Sequence, residues 1–183
     1  MAESRHYFIG IQIPEQLAHQ IKADIDKRSE LSFQKWTAPI DYHVTLVFLG
    51  AIPEDRLNKI SELLEQLSHE MSAFPLKLNE IGVFGQIERP RVFFAKPSES
   101  KPLMDVREKV KEAVLSANHP VEKRPFHPHM TIARKWNADH PYIEQAPLRK
   151  EPYSMEVSSI ALFEIRLKET PRYHVIKQFT LHK

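Results

Sequence analysis

Two short segments decide how this chain folds: "HVTL" at His43–Leu46 and "HMTI" at His129–Ile132, set inside "YHVTLVFLG" (42–50) and "HPHMTIAR" (127–134). Both lie in apolar runs of the kind that form strands. On a strand, residues i and i+2 face the same way, so His43 shares a face with Thr45, and His129 with Thr131. Val44, Leu46, Met130 and Ile132 point to the other side and can hold each strand in the core. His129 follows His43 by 86 residues, and Thr131 follows Thr45 by the same 86.

The same offset carries Arg5 of "RHYFIGI" onto Arg91 of "RVFFAKP", and Phe8 onto Phe94. Further on, "IGVF" (81–84) matches "IALF" (160–163) at an offset of 79, as though the second connection were shorter. We read two copies of one unit, approximately residues 5–90 and 91–183, forming two lobes about a pseudo-two-fold axis.

The segments between the motifs fit an α+β fold. "YFIGIQI" (7–13) reads as a buried strand, and Pro14 and Glu15 open a helix with Leu17, Ile21 and Ile25 on one stripe. A second helix begins at Pro53–Asp55 with Leu57, Ile60, Leu64 and Leu67 inward, and Glu62, Glu65 and Gln66 outward. A third carries Leu103, Val106, Val110 and Val114. Further strands are expected at 76–84, 91–95, 155–165 and 173–181. The expected architecture is bilobal, with antiparallel sheets, helices packed outside, and a groove between the lobes.

The 183 residues suit a single domain, and a hydrophobic content of 42% suffices for its core. A net charge of +2 gives no broad cationic coat, so an anionic ligand must be met locally. The absence of cysteine excludes disulfides, thiolate metal sites and a cysteine nucleophile. No apolar run approaches the length of a membrane span, and the first residues lack the pattern of a signal peptide. A soluble, cytoplasmic monomer is expected.

Two histidines and two threonines facing one groove suit displacement at phosphorus. A base takes the proton of an entering water while an acid protonates the leaving oxygen on the opposite side. Imidazole fills either role near neutral pH, and a threonine hydroxyl can donate to a non-bridging oxygen. No metal is required when the leaving oxygen is protonated and the ester is a strained ring.

The segments "RHYFIGIQIP", "KWTAPIDYHVTLVFLG", "IGVFGQIERPRVFFA" and "RPFHPHMTIAR" together resemble the 2H phosphoesterase superfamily, named for two His-x-Thr/Ser motifs. Within it they resemble the RNA 2′,3′-cyclic phosphodiesterases once described as 2′-5′ RNA ligases. The resemblance covers about three quarters of the chain, in family order. It implies opening of 2′,3′-cyclic phosphates at RNA or nucleotide ends to 2′-phosphates, with no cofactor. His43 is expected as proton donor, His129 as proton acceptor, and Thr45 and Thr131 as phosphate contacts. Relatives that open other small cyclic phosphates or act on 2′-5′ linkages leave an alternative substrate open. A non-catalytic binder of RNA ends is a further alternative.

Arg134 belongs to the family motif and is a candidate substrate contact, as is Phe48 for base stacking. Strict alternation puts both on the face opposite the histidines, so for either to reach the groove the strand must twist. Tyr7, Phe8 and Trp36 are assigned to core packing. "HPH" (127–129) spaces two imidazoles as a zinc chelate would, and Asp41 is the first-copy equivalent of His127. A metal there would give the two His-x-Thr pairs no reason to match, so no metal is expected, and Asp41 and His127 are assigned to supporting or surface roles.

Overall fold

The computed structural model describes residues 4–183. In chain order the elements are β1 (His6–Gln12), α1 (Glu15–Asp26), β2 (Phe33–Trp36), β3 (His43–Ala51), α2 (Glu54–Ser68), β4 (Phe74–Gln86), β5 (Arg89–Pro97), α3 (Lys101–Ser116), β6 (Met130–Trp136), β7 (Tyr153–Val157), β8 (Ser159–Ile165) and β9 (Tyr173–Thr180). A short 3-10 turn, Pro39–Asp41, leads into β3. One sheet has the order β3-β1-β8-β9 and the other β2-β6-β5-β4-β7, with every pairing antiparallel. The fold is therefore the expected bilobal α+β arrangement.

The sequence halves 5–90 and 91–183 are not the lobes. β2 and β4, from the first half, stand in the sheet of β5 and β6, while β8 and β9, from the second, join β1 and β3. Each half thus completes the other's sheet. The expected single strand over 155–165 is two strands for this reason: the chain leaves the second sheet after Val157, passes the exposed Ser158, and enters the first sheet at Ser159. β2 was not foreseen, because four residues with only Phe33 buried carry no periodic signal.

The strand registers repeat between lobes. Phe8↔Phe48, Ile9↔Val47, Gly10↔Thr45 and Ile11↔Val44 in the first sheet correspond to Val92↔Arg134, Phe93↔Ala133, Phe94↔Thr131 and Ala95↔Met130 in the second. The histidine strands keep the offset of 86, but β1 and β5 match at 84, so the ladder equivalent of Phe94 is Gly10 and not Phe8.

Apolar side chains of both sheets and all three helices merge in one core. The helix stripes behave as their spacing requires, with Ile21 and Ile25 of α1, Ile60 and Leu64 of α2, and Leu103, Val106, Val110 and Val114 of α3 all buried. The Ser100 hydroxyl caps α3 by accepting from the Leu103 amide at 3.2 Å. Burial of the helices on one side leaves the opposite side of the sheets for a groove. There Phe8, Ala161 and Phe163 form a separate small apolar cluster. Among the described residues no helix is long and apolar enough to cross a membrane.

Candidate active site

β3 and β6 approach each other across the seam between the sheets. Their side chains line one cavity of about 630 Å³, which contains His43, Thr45, Phe48, His129, Thr131 and Arg134. All six candidate residues therefore meet in one place.

Phe48 and Arg134 arrive there by a matched irregularity. Ile9 and Gly10 pair with Val47 and Thr45, skipping Leu46; Phe93 and Phe94 pair with Ala133 and Thr131, skipping Ile132. Each skipped residue is a β-bulge, which puts two consecutive side chains on one face and reverses the phase beyond it. Leu46 and Val47 are accordingly both buried, as are Ile132 and Ala133. The next residues, Phe48 and Arg134, turn back to the histidine face. The bulge thus supplies the twist that strict alternation lacked.

Each imidazole is fixed from behind. His43 Nδ1 donates to the Asp41 carbonyl at 2.8 Å, and His129 Nδ1 donates to the His127 carbonyl at 2.8 Å. A carbonyl can only accept, so Nδ1 carries the proton in each neutral ring and Nε2 presents a lone pair. His43 Nε2 lies 3.0 Å from Thr45 Oγ1, which donates to it in that state. Aromatic rings hold the imidazoles in place. His43 packs against Phe8 and Tyr173, both at 4.7 Å between centroids, and His129 against Phe84 at 4.9 Å and Phe94 at 5.3 Å. Phe8 is therefore a wall of the site and not simply core, and Trp36, 40% exposed, lines the cavity. Tyr7 lies in the core as expected.

Burial pushes the His43 pKa down to about 4 against the opposing hydrogen bond to Asp41, and the charges of His129 and Arg134 lower it further. His129 is lowered too, chiefly by burial, with Arg134 and His127 adding to it. Both rings are neutral near pH 7 in the free protein.

The HPH spacing does not bring ligands together. His127 is exposed and supports His129 through its backbone carbonyl. Asp41 is buried, and its carboxylate accepts from the amides of Arg172 at 3.0 and 3.2 Å and Tyr173 at 3.1 Å. It ties the β8–β9 loop to the segment that carries His43. Among the described residues no three His, Cys, Asp or Glu side chains converge in a group that could hold a metal.

Lys35, Glu169, Arg172 and Tyr173 also line the cavity, and sequence reasoning singled out none of them. Lys35 follows from the pairing of β2 with β6, and the other three from the β8–β9 loop and the start of β9, which Asp41 holds. Neither feature has a local signature in the sequence.

A sequence model described as the 2′-5′ RNA ligase superfamily matches residues 13–169. The chain is 42% identical over 176 residues to the RNA 2′,3′-cyclic phosphodiesterase of Bacillus subtilis (strain 168), covering 96% of each protein. It is 32% identical over 184 residues to the protein of that name from Aquifex aeolicus, covering 96% of this chain and 94% of the other. The crystal structure of E. coli LigT complexed with 3′-AMP matches 99% of this chain and 100% of its own with a TM-score of 0.84. At 21% identity that last match is a likeness of fold. With two strand-exchanged sheets, a His-x-Thr pair from each and full-length relatives, the chain belongs to the 2′-5′ RNA ligase superfamily of 2H phosphoesterases.

Proposed function

We propose that this protein is an RNA 2′,3′-cyclic phosphodiesterase, converting a 2′,3′-cyclic phosphate at an RNA or nucleotide end into a 2′-phosphate and a free 3′-hydroxyl. The observation that carries the mechanism is the paired fixing of Nδ1. Two imidazoles, each tied to the carbonyl two residues before it, face one cavity that also holds both threonines.

His129 acts as the base. Its Nε2 takes a proton from water as the water oxygen bonds to phosphorus. The P–O3′ bond breaks, and His43 Nε2–H gives its proton to the departing 3′-oxygen. The O2′–P bond remains. One water is consumed, His129 gains a proton and His43 loses one, and exchange with solvent restores both. His43 must be charged to start. The bound phosphate anion beside it favours the imidazolium and raises its pKa from the depressed value of the free protein.

Thr45 and Thr131 donate to the non-bridging oxygens as charge builds in the transition state. Once His43 is protonated its Nε2 becomes a donor, so the Thr45 hydroxyl is released toward phosphate. Arg134 adds positive charge near both imidazoles, and Phe48, 51% exposed, offers a face to a base. Proton transfer at both oxygens and relief of ring strain supply the chemistry without a metal.

The test is phosphorus NMR of a 2′,3′-cyclic nucleotide and of a cyclic-ended oligonucleotide, each incubated with the protein in EDTA. A 2′-phosphomonoester product is expected. A 3′-phosphomonoester, or no turnover until zinc is added, overturns the reading.

A further inference from the structure

The charged side chains of the cavity divide unevenly. Its two carboxylates are already engaged: Asp41 by the Arg172 and Tyr173 amides, and Glu169 by Arg166 at 3.4 Å. Its three permanent cations, Lys35, Arg134 and Arg172, form no ion pair among the described residues. In a chain with a net charge of only +2, this groove therefore presents three cations that are not ion-paired among the described residues.

The arrangement of two of them is costly on its own. Lys35 of β2 stands directly opposite Arg134 of β6 in the ladder, and both reach into the cavity. Like charges at a directly opposed cross-strand position destabilise a sheet. Neighbouring carboxylates do not relieve this pair, so an anionic ligand is the partner that would.

One phosphate does not use all three cations. The field of Arg134 reaches both imidazoles, which associates it with the cyclic phosphate. Lys35 lies one strand further out, ~5 Å by sheet spacing. Arg172 enters from the opposite sheet, on the loop between β8 and β9, with its backbone held by Asp41.

We propose that Lys35 and Arg172 form a second anion subsite, which takes the phosphodiester on the 5′ side of the terminal nucleotide. The preferred substrate is then an RNA chain end and not a free nucleoside cyclic phosphate. The proposal rests on the cyclic phosphodiesterase reading and adds the substrate class. A 5′-phosphate monoester has the same local chemistry, so the two sources are compared directly.

The experiment measures kcat/KM for three substrates: a nucleoside 2′,3′-cyclic phosphate with a 5′-hydroxyl, the same compound with a 5′-phosphate, and a dinucleotide ending in the cyclic phosphate. The wild-type protein should favour the dinucleotide over the 5′-hydroxyl compound by about tenfold or more. In Lys35→Ala/Arg172→Ala that ratio should fall toward one, mainly through a higher KM for the dinucleotide, and Lys35→Arg should restore most of it. Both side chains are exposed, so circular dichroism of the double variant should match the wild type. Equal gains from the 5′-phosphate and the dinucleotide support a phosphate subsite. A gain from the 5′-phosphate that the dinucleotide lacks overturns the chain-end assignment. A wild-type ratio near one, or a double variant that loses the same factor on every substrate, overturns the subsite. Absence of turnover on all three in the wild type is instead the failure of the cyclic phosphodiesterase reading.

Discussion

The ring of Phe94 occupies the space in which a β-carbon on Gly82 would stand: such an atom would lie 2.4 Å from the ring edge. Gly82 and Phe94 are cross-strand partners, and Phe94 supports His129. In the other lobe Ala161 takes the place of Gly82, and the ring beside the histidine comes from Phe8, two ladder positions away from the equivalent of Phe94. Each lobe thus reaches the same aromatic backing by a different register, which is why Phe8 and Phe94 match at 86 while their strands match at 84.

Gly82→Ala should therefore act on catalysis as well as on stability. The aromatic ring is stiff and packed between Phe84 and His129, so it must move as a whole. A loss of about 1–3 kcal/mol is expected by denaturant unfolding, as for other overpacked sites. A larger fall in kcat than rise in KM should accompany it. Unchanged kcat would show that Phe94 does not position His129.

Asp41→Ala should release the β8–β9 loop. Its carboxylate accepts hydrogen bonds from two backbone amides, and Tyr173, which follows directly, packs against His43. Amide exchange at Arg172 and Tyr173 should accelerate by at least about tenfold, corresponding to the loss of ~1.4 kcal/mol or more from a buried charge-assisted contact. The Asp41 carbonyl still accepts from His43 Nδ1, so the imidazole tautomer is kept. Wild-type exchange rates in the variant would show that the loop is held by other contacts.

What could be read from the sequence is what repeats in it. The two His-x-Thr pairs and the helix stripes are local and periodic, and the structure brings both pairs together in one groove. The strand exchange could not be read, because nothing in "IGVF" or "IALF" says which copy's sheet it will join. The bulge that turns Phe48 and Arg134 to the histidine face does have a signal in the sequence. In "HVTLVF" and "HMTIAR" alternation breaks at the same place in each copy, where the adjacent apolar residues Leu46 and Val47, and Ile132 and Ala133, follow the threonine. That shared break marks the bulge. Lys35 and Arg172 depend on long-range pairing and loop anchoring, and neither leaves a trace in local pattern.

The buried histidines make the fold sensitive to acid. The pKa of His43 is about 4 in the folded protein against 6.5 when unperturbed, so between these values the unfolded chain binds more protons than the folded one. Stability is full above pH 6.5 and is lost as pH falls toward 4, at up to ~1.4 kcal/mol per pH unit for this residue. His129, lowered in the same direction, adds to the slope. Denaturant titrations at several pH values should show a shallower slope between pH 4 and 6.5 for His43→Gln. An identical slope would mean that other groups govern the acid limb.

The acid and base roles separate in the rate profile. Burial lowers both histidines in the free protein, so kcat/KM should be bell-shaped with its maximum below pH 6.5, and kcat should peak at higher pH because bound phosphate favours both imidazolium forms. Arg134 holds both values down, so Arg134→Gln should move the kcat/KM profile to higher pH, whereas Arg134→Lys should leave it in place. A substrate with sulfur in place of the 3′-oxygen leaves without protonation. It should recover much of the activity of His43→Ala, which lacks the acid, and little of His129→Ala, which lacks the base. Recovery in the opposite variant would exchange the two roles.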